Sequence, residues 1–290
     1  MSILHKALLA WAVGRARRAA GLTRHTVRLD SGETYRYLAG GVGPPLLLLH
    51  GFGGSKDNFT RLAAGLTPHF RVVAPDHLGF GESDKPEHAD YSPVAQARRL
   101  HAFVRALGLT DLHLGGNSMG GHIAMTYASL YRNDVLSLWL LNAGGVWSAP
   151  PSELRRHYER TGRNLLVAAT PDEFVDTLRF VMHQPPKVSS GVVRELAKAR
   201  VANQPLERRI FAQVTADSVE ARIRGLDVPT LVAWGREDRV LSPGTADVIR
   251  DLMPRSEVVM LPDIGHLPMI EAPERCAADY RAFRGRIAGG

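Results

Sequence analysis

One cysteine, Cys276, stands in the 290 residues, so no disulfide can form within the chain. That excludes a disulfide-stapled scaffold and suits a reducing compartment, with a cytoplasmic protein expected. The spacing H-E-x-x-H and clustered Cys/His groups are missing, so neither a metal nor another cofactor is expected. No apolar run approaches the ~20 residues that a membrane span requires. Internal repeats and low-complexity tracts are absent too. Acidic residues are lacking from positions 1–29, where Lys6, Arg15, Arg17, Arg18, Arg24 and Arg28 account for most of the net charge of +7. The rest of the chain is close to neutral. The body therefore has no reason to bind nucleic acid.

The basic N-terminus has a pattern of its own. Ile3, Leu4, Ala7, Leu8, Trp11 and Ala12 recur at the spacing of one helical face. Its main basic cluster, Arg15 to Arg18, follows the apolar stretch instead of preceding it, unlike a secretory signal. Three readings stay open. Residues 3–18 form a basic amphipathic helix on an anionic membrane surface, a helix docked on the protein itself or a partner, or a poor targeting signal. The first would make the protein peripheral at the inner face of a membrane.

Beyond residue 25, strand-like and helix-like segments alternate. Thr26–Asp30 and Tyr35–Ala39 flank the turn signal Ser31-Gly32. Leu46–Leu49, Arg71–Pro75, Asp111–Gly115, Val135–Leu141, Thr230–Trp234 and Glu257–Leu261 read as buried strands. Helical spacing falls between them and again over Glu274 to Ile287. Such alternation predicts an α/β fold, a mostly parallel sheet with helices on both faces. It fails from 148 to 222, a polar, helical, proline-broken stretch. The expected organisation is a basic N-terminal helix (1–24), a core in two parts (25–147 and 223–290) and a helical cap inserted between them (148–222).

The chemistry begins at Gly116-Asn117-Ser118-Met119-Gly120-Gly121, a G-x-S-x-G pattern where a strand should turn into a helix. A serine hydroxyl needs a histidine to take its proton and a carboxylate to orient that histidine. Asp238 follows the strand ending in Trp234-Gly235, and His266 follows the strand ending in Leu261. Both fall past the carboxyl ends of strands, the edge where open α/β sheets bind ligands. Ser118, Asp238 and His266 are the expected catalytic residues. Glu237 and Asp263 are the rival acids. An oxyanion needs backbone N–H donors aimed at it in advance. Met119 N–H is one, at the start of the helix after Ser118. Phe52 N–H is the other, with Gly53 second, in the loop His50-Gly51-Phe52-Gly53-Gly54. His50 and Asp76 to Ser83 are read as scaffold for those loops, and His113 as a satisfied core residue.

Together these motifs resemble the α/β-hydrolase superfamily over residues 25–290, more weakly in the cap. Within it the chain is similar to bacterial lipase/esterases and monoacylglycerol-lipase-like serine hydrolases, at His50 to Asp57, Ser118 to Gly121, Leu141 to Gly145, Gly265-His266 and Glu271-Ala272-Pro273. The resemblance implies an eight-stranded sheet and hydrolysis of a lipid-like carboxylic ester, such as a monoacylglycerol. Some members carry an N-terminal membrane-associating helix, which suits residues 3–18. Trp147, Phe180, Met182, Leu241 and Leu267 are expected at the acyl site, with packing inside the cap as the alternative for its own residues. The elbow also looks like that of serine C–C hydrolases acting on aromatic ring-fission products. Those usually have Trp directly after the catalytic His, where this sequence has Leu267.

Overall fold

Apolar strand residues at odd and even positions serve opposite faces of one sheet. Leu47, Leu49, Val73, Leu114, Leu138, Leu140, Val232 and Trp234 belong to one buried cluster, and Leu46, Leu48, Val72, Ala74, Trp139, Leu141, Leu231 and Ala233 to another. A sheet covered on both faces is why these strands read as unbroken apolar runs instead of alternating ones. Each fully buried leucine contributes ~1.5–3 kcal/mol relative to exposure.

The computed structural model describes residues 3–186 and 188–289, with side chains from residue 10 onward. Helix α1 (Ile3–Ala19) leads into strands β1 (Leu22–Arg28), β2 (Thr34–Gly40) and β3 (Pro45–Leu49). After a short helix α2 (Thr60–Ala63) come β4 (Arg71–Pro75), α3 (Pro93–Ala106), β5 (Leu112–Ser118), α4 (Met119–Leu130) and β6 (Val135–Ala143). Five helices follow: α5 (Glu153–Thr161), α6 (Pro171–Val181), α7 (Ser190–Ala202), α8 (Gln204–Thr215) and α9 (Glu220–Ile223). The chain then returns to β7 (Thr230–Gly235), α10 (Thr245–Leu252), β8 (Ser256–Leu261), α11 (Pro268–Glu271) and α12 (Pro273–Ala288). No strand occurs among the described residues between β6 and β7.

The eight strands form one sheet in the order β1-β2-β4-β3-β5-β6-β7-β8. β2 pairs antiparallel with β1 and β4, and all other pairs are parallel. Register brings the carboxyl ends together: Leu49 pairs with Gly116, Ser118 with Ala143 and Gly235 with Leu261. The loops after β3, β5, β6, β7 and β8 thus share one edge, next to the crossover between β4 and β5.

The N-terminal helix ends at Ala19, close to the end of the 3–18 pattern but short of the 1–24 segment expected for it. Gly21 takes a left-handed φ of +68° and the buried Leu22 starts β1, so residues 22–24 are strand. Arg17 binds Asp57 through two hydrogen bonds of 2.6 and 2.7 Å, and α1 touches β1, α2 and α7. Its carboxyl end is docked, while Trp11 is 58% exposed. The side chains of Ile3, Leu4, Ala7 and Leu8 lie outside the described residues. No described helix is long and apolar enough to cross a membrane.

Candidate active site

Ser118 closes β5 with φ +54° and ψ −119°, a strained conformation for a residue with a Cβ. The glycines two residues to either side permit the sharp turn by having no side chain: a Cβ on Gly116 would lie 2.3 Å from the Gly120 carbonyl oxygen, and one on Gly120 would lie 2.1 Å from that of Leu49. The turn therefore packs directly on the end of β3. Asn117 fastens it from the other side, donating from Nδ2 to the carbonyls of Leu141 and His266, both at 3.0 Å. Ser118 is half-buried and lines a cavity of about 1100 Å³. Met119, also on the cavity wall, starts the 12-residue α4, whose free N–H groups and dipole favour negative charge at that point.

His266 and Asp238 meet: His266 Nδ1 lies 2.8 Å from Asp238 Oδ2. With the proton on Nδ1, the bonding pattern leaves Nε2 with a free lone pair, the form that can accept a proton. The Asp238 carboxylate is buried and takes four hydrogen bonds. Oδ1 accepts from the N–H groups of Val240 and Leu241 at 2.8 and 3.1 Å. Oδ2 accepts from Asn142 Nδ2 at 2.6 Å as well as from His266. Glu237 and Asp263 are exposed and make no such contact with His266.

Two residues that the sequence placed in points of resemblance without a role hold this pair. Asn142, at φ +46° near the end of β6, donates to Asp238 and to the Gly265 carbonyl, and its Oδ1 accepts from Gly235 N–H. The available signal was a polar residue ending an apolar strand at the shared edge. Glu271 accepts from the N–H groups of Gly265 and Leu267 at 3.1 and 3.3 Å, and from His183 and Gln184 at 2.7 and 2.9 Å. It ties the His266 loop to the end of α6, and the Val181 carbonyl accepts from His266 N–H at 2.8 Å. Its signal was an acid in the turn just after His266.

The loop after β3 is organised by buried polar groups, as expected from His50 and Asp76. His50 Nδ1 lies 2.8 Å from the Gly51 carbonyl oxygen, and His50 Nε2 accepts from His77 N–H at 3.0 Å. Burial holds the His50 imidazole below its ordinary pKa, so it stays neutral and can do both. Asp76 accepts from Lys56 N–H and Nζ at 2.7 and 2.6 Å and from Glu82 N–H at 2.8 Å. Phe52 lies on the cavity wall, its ring edge-on to Phe80 and Phe211 at 5.5 and 5.4 Å.

Of the residues expected at the acyl site, Trp147 and Leu241 line the cavity with Leu154, Leu166 and Val240. Trp147 is held by hydrogen bonds from its N–H to Glu220 and from its indole to the Asp217 carbonyl. Phe180, Met182 and Leu267 are not on the cavity wall. They pack behind that wall, in an apolar cluster that shares Leu154 and Val240 with it, and Arg239 lies 4.8 Å over the Phe180 ring. The end of α6 is tied down to the His266 loop, which sets Phe180 and Met182 in the same cluster as Leu267. Cys276 is buried and its thiol is pushed up to about 12 by burial, consistent with an inert packing role. No cluster of His, Cys, Asp or Glu suited to a metal ion occurs among the described residues.

Comparison with known proteins places this geometry in a lineage. A model of the alpha/beta hydrolase fold family matches residues 44–273. Lipase 1 of Psychrobacter immobilis is 42% identical over 275 residues, covering 92% of this chain and 86% of that one. The monoacylglycerol lipase ABHD6 of Mus musculus is 28% identical over 246 residues, covering 81% and 73%. The crystal structure of a membrane phospholipase A superposes with a TM-score of 0.96 at 41% identity, covering 99% of this chain and 93% of that one. The strained serine, the buried His–Asp pair and these matches lead to one conclusion: the chain belongs to the α/β-hydrolase family.

Proposed function

We propose that the protein hydrolyses carboxylic esters of lipid-like substrates, monoacylglycerols among them, through an acyl-enzyme on Ser118. The observation that carries this reading is the buried His266–Asp238 pair at 2.8 Å, set at the sheet edge where Ser118 opens onto a large cavity. His266 Nε2 takes the Ser118 Oγ proton as the oxygen attacks the acyl carbon. The N–H groups of Phe52 and Met119 receive the negative charge on the carbonyl oxygen. The tetrahedral intermediate collapses, and His266 gives its proton to the departing alcohol. Water then enters, His266 takes a proton from it, and the acid leaves as Ser118 recovers its hydrogen. The helices between β6 and β7 act as a cap, and Trp147, Leu241 and Leu154 give the acyl chain apolar walls.

Residues 3–18 extend the reading to a membrane surface. Arg15 and Arg18 are exposed on α1 with Trp11, and each base near an anionic bilayer adds ~1 kcal/mol of attraction. The relative described as a membrane phospholipase A supports the same placement.

A panel of nitrophenyl esters and monoacylglycerols, with and without detergent, tests the reaction. Turnover abolished by Ser118→Ala is expected. Full activity of that variant, no turnover of any ester, or far faster turnover of a dienoic ring-fission product would overturn it. For the membrane contact, Arg15→Glu/Arg18→Glu should release the protein from anionic vesicles while leaving soluble-ester turnover unchanged. Binding indifferent to both salt and these charges would sink that part.

A further inference from the structure

The loop proposed to bind the oxyanion, His50 to Gly54, has three glycines and few side chains to hold it from within. Its own backbone closes one turn, Gly54 N–H to the Gly51 carbonyl at 3.1 Å. His50 and Phe80 hold it from the core, and the Gly53 carbonyl is held from helix α7, 147 residues away. There the Arg200 guanidinium donates from Nη1 to the Gly53 carbonyl at 2.5 Å and from Nη2 to the Leu166 carbonyl at 2.8 Å. The buried Glu207 carboxylate lies 2.9 Å from the same Nη2. The guanidinium also lies 5.7 Å over the Phe52 ring and 6.0 Å over Phe174. Gly53 has φ +67°, and a Cβ there would fall 1.5 Å from Arg200 Nη1, so glycine at this position leaves the space the guanidinium occupies.

The surroundings point the same way. Phe211 on α8 packs its ring against Phe52, and Asn203, between α7 and α8, donates to the Gly79 carbonyl at 3.1 Å. Phe52 is thus enclosed by Phe80 from the core and by Phe211 and Arg200 from the cap. A glycine-rich loop that must present an N–H at a fixed point loses entropy when it is ordered. A planar guanidinium held by a buried carboxylate is a rigid device for ordering it in advance.

We propose that Arg200 is a positioning residue for catalysis: from the cap, it sets the Phe52–Gly53 backbone in the geometry that receives the developing oxyanion. The proposal rests on the ester-hydrolase reading for its chemistry, but its structural content is the coupling of cap to loop. Arg200 touches neither the serine nor the acyl carbon. It acts through Gly53, so its loss should lower the rate of the chemical step and spare ground-state binding.

The test uses Arg200→Met and the double variant Arg200→Met/Glu207→Leu, which avoids stranding a buried carboxylate. Three quantities are read on folded protein: kcat, KM for a short soluble nitrophenyl ester, and the rate of Ser118 labelling by a fluorophosphonate. The P=O oxygen of that reagent needs the same N–H donors. Losing one oxyanion donor outright costs ~10²–10³ in rate, so misplacing one should cost about 10- to 100-fold. The expected result is a fall of that size in kcat and in labelling together, in both variants, with KM unchanged and partial recovery in Arg200→Lys. Wild-type kcat and labelling rate in the folded double variant would overturn the proposal, as would a rise in KM alone. If the wild-type protein cleaves no ester, the ester-hydrolase reading fails on its own. The labelling rate then still decides the coupling: slower labelling in the variants upholds it and equal labelling refutes it.

Discussion

Around Asp238, four hydrogen bonds converge on one carboxylate, and every donor sits in a strand or in the loop directly after one. Around Glu207, in the helices between β6 and β7, a single long side chain, Arg200, provides the countercharge and also spans to two backbone carbonyls. The sheet edge distributes its support over two backbone N–H groups and two side chains, all on segments that strand pairing has already fixed. The cap concentrates its support on the loop in one long side chain that its own partners hold in place. Distributed support gives geometry that a single substitution perturbs locally. Concentrated support makes the position of a whole segment depend on one residue.

The strongest way to break that contrast is Asp238→Asn. The amide keeps the volume and its oxygen can still accept from Val240 and Leu241, but its NH2 faces the Asn142 donor and favours the wrong imidazole tautomer, so kcat should fall by ~10⁴. A loss under tenfold, read on the best ester, would mean that another acid serves His266. Asn142→Ala removes one of the four donors and leaves the other three. With its bonds to Gly265 and Gly235 lost as well, it should cost about 10- to 100-fold in kcat, within the ~1–3 kcal/mol for a buried polar group left unpaired. A loss as large as that of Asp238→Asn would show that support at the sheet edge is not distributed.

Acid should probe the two regions with opposite signs. His113 in β5 is buried beside Ser137, and burial lowers its pKa to about 4. The unfolded chain takes up that proton near 6.5 and the folded one does not, so stability falls as pH drops from 6.5 towards 4. The loss should reach on the order of 2 kcal/mol near pH 5, and His113→Gln should flatten the slope in denaturant titrations. Glu207 runs the other way. Burial raises its carboxyl, which Arg200 only partly offsets, so its contribution grows on acidification and is lost as pH rises through its folded pKa. Glu207→Gln should therefore steepen the acid loss.

The smallest expected effect concerns the cavity wall. Ala212 on α8 lines it, and Ala212→Trp should fill part of the space. Turnover of long-chain esters should fall about tenfold relative to acetate esters, in line with the ~1–3 kcal/mol that pocket size commands. An unchanged chain-length profile would place the acyl chain elsewhere.

The core was legible because its signals are local. A glycine pattern around Ser118 is demanded by contacts within one turn and the neighbouring strand, and unbroken runs such as Leu46–Leu49 are demanded by burial on both faces. The chain order of Ser118, Asp238 and His266 followed from strand ends, which register then aligned. The helices were legible as helices but not in where their faces point. An apolar stripe looks the same whether it faces a cavity or another helix, and so Trp147 lines the cavity while Phe180 and Met182 pack in a cluster beside it.

By itself, then, the sequence determined the strands, the strained serine and the residues able to serve it, because period, glycine and strand end are properties of short segments. The tertiary structure alone decided what holds them: Asn142 on Asp238 across 96 residues, Glu271 on His183 across 88 and Arg200 on Gly53 across 147. Such contacts follow from how segments pack in space. No local pattern encodes which distant carbonyl a guanidinium will meet.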